Sequence, residues 1–86
     1  MRLDKFLSII KIFKSRSLGA EAISASMVMI NNQPAKASKE IQAGSIIEIE
    51  TPRFYKKLKV LSLPPHNISR AQTASLFQLL DERIKD

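Results

Sequence analysis

The first seventeen residues gather cations: Arg2, Lys5, Lys11, Lys14 and Arg16, with Ser17 next, and Lys36 and Lys39 follow further along. Side chains of this kind bind anions. Lys14-Ser15-Arg16-Ser17 is the most pointed group, because it immediately precedes a segment of helical periodicity. The free N–H groups and positive dipole end of a helix favour negative charge. A phosphate there would meet a guanidinium fork, a hydroxyl and backbone amides together. The plainer reading of the same residues is a turn whose charges face water. On either reading Arg16 belongs to neither apolar stripe, so it is expected to bind rather than to hold the fold.

Other chemistry is not encoded. The acids are Asp4, Glu21, Glu40, Glu48, Glu50, Asp81, Glu82 and Asp86; only Glu48 and Glu50 pair up, on a solvated strand face. His66 follows Pro64-Pro65 with no acid or nucleophile motif beside it, which suits a loop residue better than a base. Gly19 and Gly44 cannot make a phosphate-cradling loop. The absence of cysteine excludes disulfides, a thiol nucleophile and sulfur-ligated zinc, and one histidine leaves no all-histidine metal site. No catalytic residue, metal or cofactor is expected, and the chain does not read as an enzyme.

The elements that position these residues follow from periodicity. Leu3, Phe6, Leu7, Ile10 and Phe13 fall within about 120° of a helical wheel, the width of a core-facing stripe. Lys14 would fall inside that stripe, so the spacing predicts a first helix ending near Phe13. Ser17 is the expected N-cap of a second helix running to about Ala25, with Leu18, Ala22 and Ala25 as its stripe. The period then changes. Met27 to Ile30 reads as a strand, and Asn31-Asn32 as a hairpin turn. Ile46 to Glu50 alternates, with Ile47 and Ile49 inward, and Tyr55 to Leu63 is a further strand with Leu58 and Val60 on one face. Ser69 and Gln72 have capping-box spacing, and Phe77, Leu80 and Ile84 make a helical stripe, so a final helix over about 70–84 is expected. The fold class is α+β: two N-terminal helices packed on a small antiparallel twisted sheet, with a C-terminal helix.

With 86 residues the chain makes one small domain, and 14 Lys and Arg against 8 Asp and Glu give a net charge of +6. The excess is uneven: +4 over residues 1–43, +2 over 44–66 and zero over 67–86. A basic face is therefore expected on the first three quarters, with a neutral appendage behind it. Charge of this kind points to nucleic acid. No apolar stretch approaches a membrane span, and charges interrupt any signal-peptide core. The expectation is a cytoplasmic, soluble, unprocessed monomer without membrane partners.

The order of the landmarks is also a resemblance. Arg2-Leu3-Asp4-Lys5-Phe6-Leu7, Lys14-Ser15-Arg16-Ser17-Leu18, Ile30-Asn31-Asn32 and Lys36-Ala37-Ser38-Lys39 resemble the S4-type RNA-binding domain over about residues 1–50. The whole chain is most similar to the stand-alone bacterial members, the RqcP and heat-shock S4 protein family. The resemblance implies an S4-like, αL-type RNA-binding motif over 1–66, with 67–86 packed as a helix of the same domain. It implies an RNA surface of Arg2, Lys5, Lys11, Lys14, Arg16, Ser17, Lys36 and Lys39, with Asp4 as structural partner of a nearby cation. It further implies binding to the large ribosomal subunit carrying a stalled peptidyl-tRNA, through rRNA and tRNA, alongside a factor that adds a C-terminal tail to the nascent chain. Ser26 and Asn32 stand where the family usually has glycine, Met27 where a basic residue is common, and Lys11 where arginine is common.

Two other classes compete, an adaptor and a DNA-binding regulator, beside an alternative within the same RNA-binding class. A heat-shock-type S4 protein recycling obstructed large subunits is the near alternative, and an adaptor meeting an acidic protein is the distant one. A DNA reader would need Arg, Asn or Gln along the second helix. Residues 18–25 are Leu, Gly, Ala, Glu, Ala, Ile, Ser and Ala, which read no base.

Overall fold

Helix α1, Leu3–Ile9, opens the chain in a computed structural model that describes residues 1–64 and 73–85. It buries Leu3, Phe6 and Leu7 completely. It stops a turn earlier than the apolar stripe predicts. The Ile12 N–H donates to Leu7 O and the Lys11 N–H to Ser8 O, both at 3.2 Å, and Lys11 has φ 63°. This is the paired closure of a helix whose next residue is left-handed, a place usually given to glycine. The reversal folds Ile12 and Phe13 back against the core and keeps Lys14 exposed.

Helix α2 is Arg16–Ser24, and its N-cap is Ser15, not the expected Ser17. Ser15 is extended, with φ −139° and ψ 161°, and its Oγ accepts the Leu18 N–H at 3.2 Å. Ser17 is already a helical residue, so its hydroxyl is not the cap. Gly19 is buried beside the Phe13 ring, where a Cβ would make an ordinary contact at 3.6 Å. That ring also packs, tilted, on Phe54 at 6.5 Å. The helix ends as α1 does, with Ser26 at φ 62°, Met27 N–H on Ala22 O and Ser26 N–H on Ile23 O.

Five strands form one antiparallel sheet in the order β2-β1-β3-β4-β5: β1 Val28–Ile30, β2 Gln33–Pro34, β3 Ile46–Glu50, β4 Phe54–Val60 and β5 Phe77–Ile84. Asn31 and Asn32, at φ 50° and 68°, turn β1 into β2 as the sequence predicts, since asparagine tolerates this region better than most residues. Val28, Ile30, Ile47, Ile49, Leu58 and Val60 share the inner face and join Leu3, Phe6, Leu7, Ile10 and Ile23 in one core. β4 begins one residue before the expected strand and ends three residues short of it.

The C-terminal element is a strand where a helix is expected. Residues 77–84 pair with β4; Ser69, Gln72 and the start of the expected helix, like His66, lie outside the described residues. Unpaired, β4 would carry a row of unsatisfied backbone groups, and β5 fills them. Asp81 opposes Lys57 and Leu79 opposes Leu58, so Leu80 is an extra residue at a bulge. The expected helical stripe of Phe77, Leu80 and Ile84 is not a buried face: Leu80 is 44% and Ile84 73% exposed. Leu76, just before β5, is buried, and its carbonyl accepts the N–H groups of Leu61 and Ser62.

Candidate nucleic-acid interface

The start of α1 is built around a buried acid. Asp4 is 4% exposed, and its carboxylate collects donors from three directions. Arg2 gives Nε to Oδ1 at 3.3 Å and Nη2 to Oδ2 at 3.4 Å. Arg16, from the first turn of α2, places Nε 3.2 Å from Oδ2. The Lys5 N–H donates to Oδ1 at 2.8 Å. Burial alone would raise the Asp4 pKa; the Arg16 hydrogen bond and charge, the Lys5 N–H and Arg2 outweigh it and hold the carboxyl below its usual value. A buried carboxylate is tolerable when charge and hydrogen bonds both compensate it. Each arginine side chain remains about half exposed, at 48%.

The loop after the hairpin is strapped onto the same end of α1. Leu3 N–H donates to Lys39 O at 2.9 Å and Asp4 N–H to Ala37 O at 3.2 Å. Lys39 N–H closes the loop on Lys36 O at 2.9 Å. The chain's ammonium group bonds Glu40 Oε2 at 2.7 Å, and Ile41 N–H donates to Met1 O. These bonds use the first N–H groups of α1, so that helix end offers no amides to an anion. At α2, Ser15 takes the N–H groups of Leu18 and Gly19.

Arg2 and Arg16 thus converge on Asp4, with the loop of Lys36 and Lys39 fastened beside them. Lys5 is exposed on α1, and Ser17 in the first turn of α2. Lys11 and Lys14 stand in the turn between the helices, Lys11 at the far end of α1 from the loop. Lys5, Lys11, Lys14, Lys36 and Lys39 have no carboxylate partner among the described residues. In the later part of the chain Lys56 pairs with Glu82, Arg83 with Asp81 and Lys85 with Glu50, while Arg53, Lys57 and Lys59 have no carboxylate partner among the described residues.

Sequence reasoning missed three features. Arg16 is a structural partner of a buried acid as well as an exposed cation, and only the tertiary approach of α2 to α1 reveals it. Ser15 caps α2; its place three residues before Leu18 was the available signal. Glu40 clasps the chain terminus, and nothing local to Glu40 indicates that.

Residues 1–47 match the S4 domain family profile. The chain is 34% identical over 74 residues to the RQC P-site tRNA stabilizing factor of Helicobacter pylori, covering 85% of this chain and 88% of that protein. It is 28% identical over 85 residues to the heat shock protein 15 homolog of Haemophilus influenzae, covering 99% of this chain but spanning only 65% of that relative's length. Among solved structures, a trimeric heat shock protein 15 of Vibrio cholerae superposes with a TM-score of 0.84 at 25% identity, over 93% of this chain and 81% of that one.

Proposed function

The chain belongs to the S4 domain family, and from that premise we propose that it is an RNA-binding ribosome quality-control factor of the cytoplasm. It binds the large ribosomal subunit that carries a stalled peptidyl-tRNA and holds that tRNA while a tailing factor extends the nascent chain. The observation that carries this reading is the similarity to a P-site tRNA stabilizing factor over most of both chains. The heat-shock-type reading shares the fold and the RNA surface, and rests on a relative of which the chain spans a smaller share.

The chemistry required is positioning, with no bond made or broken. Arg2 and Arg16 present guanidinium edges to phosphate, Lys5, Lys11, Lys14, Lys36 and Lys39 add point charges, and Ser17 adds a hydroxyl. Asp4 fixes the two arginines relative to each other. A surface of this kind recognises structured RNA by the placement of its phosphates and by shape. Helix α2 exposes Leu18 and Glu21 and carries no Arg, Asn or Gln beyond Arg16, so base reading from that helix is not part of the proposal.

Sedimentation of the tagged protein through a sucrose gradient tests the reading. Co-migration with free large subunits, and not with assembled ribosomes, is the expected result. Co-migration with one small acidic protein instead would replace this function with an adaptor's.

A further inference from the structure

We propose that the groove between the β1–β2 hairpin and the 36–39 loop is a subsite for one unpaired RNA nucleotide, whose base edge is read by Gln33. The inference rests on the RNA-binding reading above and deepens it. The groove has a volume of about 580 Å³ and is lined by Asn31, Gln33 and Pro34 from the hairpin and by Lys36, Ser38 and Lys39 from the loop. That is within the range of about 300–1,000 Å³ usual for small-ligand sites. It is also preformed. The loop carbonyls of Ala37 and Lys39 are committed to α1, and that of Lys36 to Lys39 N–H, so the loop need not order itself on binding.

The side chains define the occupant. Lys36 and Lys39 bring two cations with no carboxylate partner among the described residues, which suits a phosphate. Asn31 is partly committed, because its Oδ1 accepts the Ile46 N–H at 2.9 Å. Gln33 is exposed on the outermost strand of the sheet, and its carboxamide makes no hydrogen bond among the described residues. A carboxamide offers a donor and an acceptor side by side, the pattern that pairs with adenine. In an RNA duplex the base edges are engaged or hard to reach, whereas an unpaired nucleotide can be splayed outward. Lysines, a free amide and Pro34 together fit phosphate, base edge and base face better than they fit an acidic peptide, which needs only the cations.

The test uses labelled RNA hairpins of one stem, either fully paired or with a single bulged A, C, G or U, read by fluorescence anisotropy. The bulged-A hairpin should bind roughly 10-fold or more tightly than the paired stem and ahead of the other bulges. Gln33→Leu should erase that preference, whereas Gln78→Leu, exposed on β5, should keep it; thermal melting confirms that both variants fold. Equal binding of paired and bulged stems, or a preference that survives Gln33→Leu, overturns the subsite. So does adenosine monophosphate binding as tightly as the bulged RNA, or an oligoglutamate peptide competing equally well. Large-subunit binding that depends on Arg16, without any bulge preference, removes the subsite alone. Failure to bind subunits or any hairpin removes the functional reading as well.

Discussion

The Asp4 carboxylate is buried yet stays ionised because Arg16, the Lys5 N–H and Arg2 surround it. Its folded pKa lies below the ordinary carboxylate value. The stability it contributes is therefore full above that ordinary value and is lost as pH falls through the lower, folded value. Melting curves taken from neutral pH down to about pH 2 should show the wild type losing stability below about pH 4, with a shallower acid dependence in Asp4→Asn. The same variant separates positioning from simple charge. Removing an anion from a basic surface would strengthen RNA binding by electrostatics alone, whereas loss of the arginines' shared anchor weakens it; weaker binding to large subunits is expected. Arg16→Ala should cost about 1 kcal/mol of stability, because its partner is buried while it is itself half exposed. It should also weaken subunit binding roughly 10–100-fold, with Arg16→Lys recovering part of that. Arg83→Ala serves as the control: Arg83 pairs with Asp81 and lies 5.2 Å over the Tyr55 ring, on the sheet. If Arg83→Ala impairs binding and Arg16→Ala does not, the RNA surface is on the other side of the molecule.

Both helices close on a left-handed residue that is not glycine: Lys11 at φ 63° and Ser26 at φ 62°. Glycine in either place relieves backbone strain and should stabilise the domain by about 0.5–1 kcal/mol, a few degrees in melting temperature for a chain of this size. The two variants should part in binding. Ser26→Gly removes only a hydroxyl and should leave subunit affinity intact, whereas Lys11→Gly removes an unpaired cation and should weaken it. Equal binding by both would take Lys11 out of the RNA surface. The turn at Asn31-Asn32 and the alternation of Ile46–Glu50 were legible because each depends on residues close in sequence. The early end of α1 was less so: the apolar stripe continues to Phe13, and only the left-handed Lys11 shows that Phe13 returns to the core from outside the helix. β5 was misread for a comparable reason. Phe77, Leu80 and Ile84 fall at helical spacing in the sequence although Leu80 and Ile84 are exposed, while the partner strand that decides the matter lies about twenty residues earlier.

At the scale of the whole molecule, carboxylate partners are concentrated on the sheet, although Arg53, Lys57 and Lys59 there have none among the described residues. Helix α1, the turn after it and the 36–39 loop carry five lysines without a carboxylate, and two arginines share one acid. On the sheet, β5 brings Asp81 and Glu82 to Arg83 and Lys56, and Lys85 reaches Glu50. The uneven charge along the chain was readable from the sequence, including the neutral last twenty residues. The pairing of Glu82 with Lys56 was not, because it depends on residues 77–84 folding as a strand against β4. An interface made of unpaired cations releases counterions from RNA, so affinity should fall steeply with salt. With about five phosphate contacts, log K should fall with a slope of roughly −3 to −5 against log salt. Each lysine removed from the helix-and-loop side should reduce that slope by nearly one unit, since one fewer counterion is released. Lys56→Ala should leave the slope unchanged, because Lys56 is held by Glu82 at 3.3 Å and by the Phe54 ring at 5.1 Å. Titrations of Lys14→Ala, Lys36→Ala and Lys56→Ala against purified large subunits over a salt series measure this directly. A flat salt dependence in the wild type, or equal changes of slope in all three variants, would show that binding does not depend on the helix-and-loop side of the molecule.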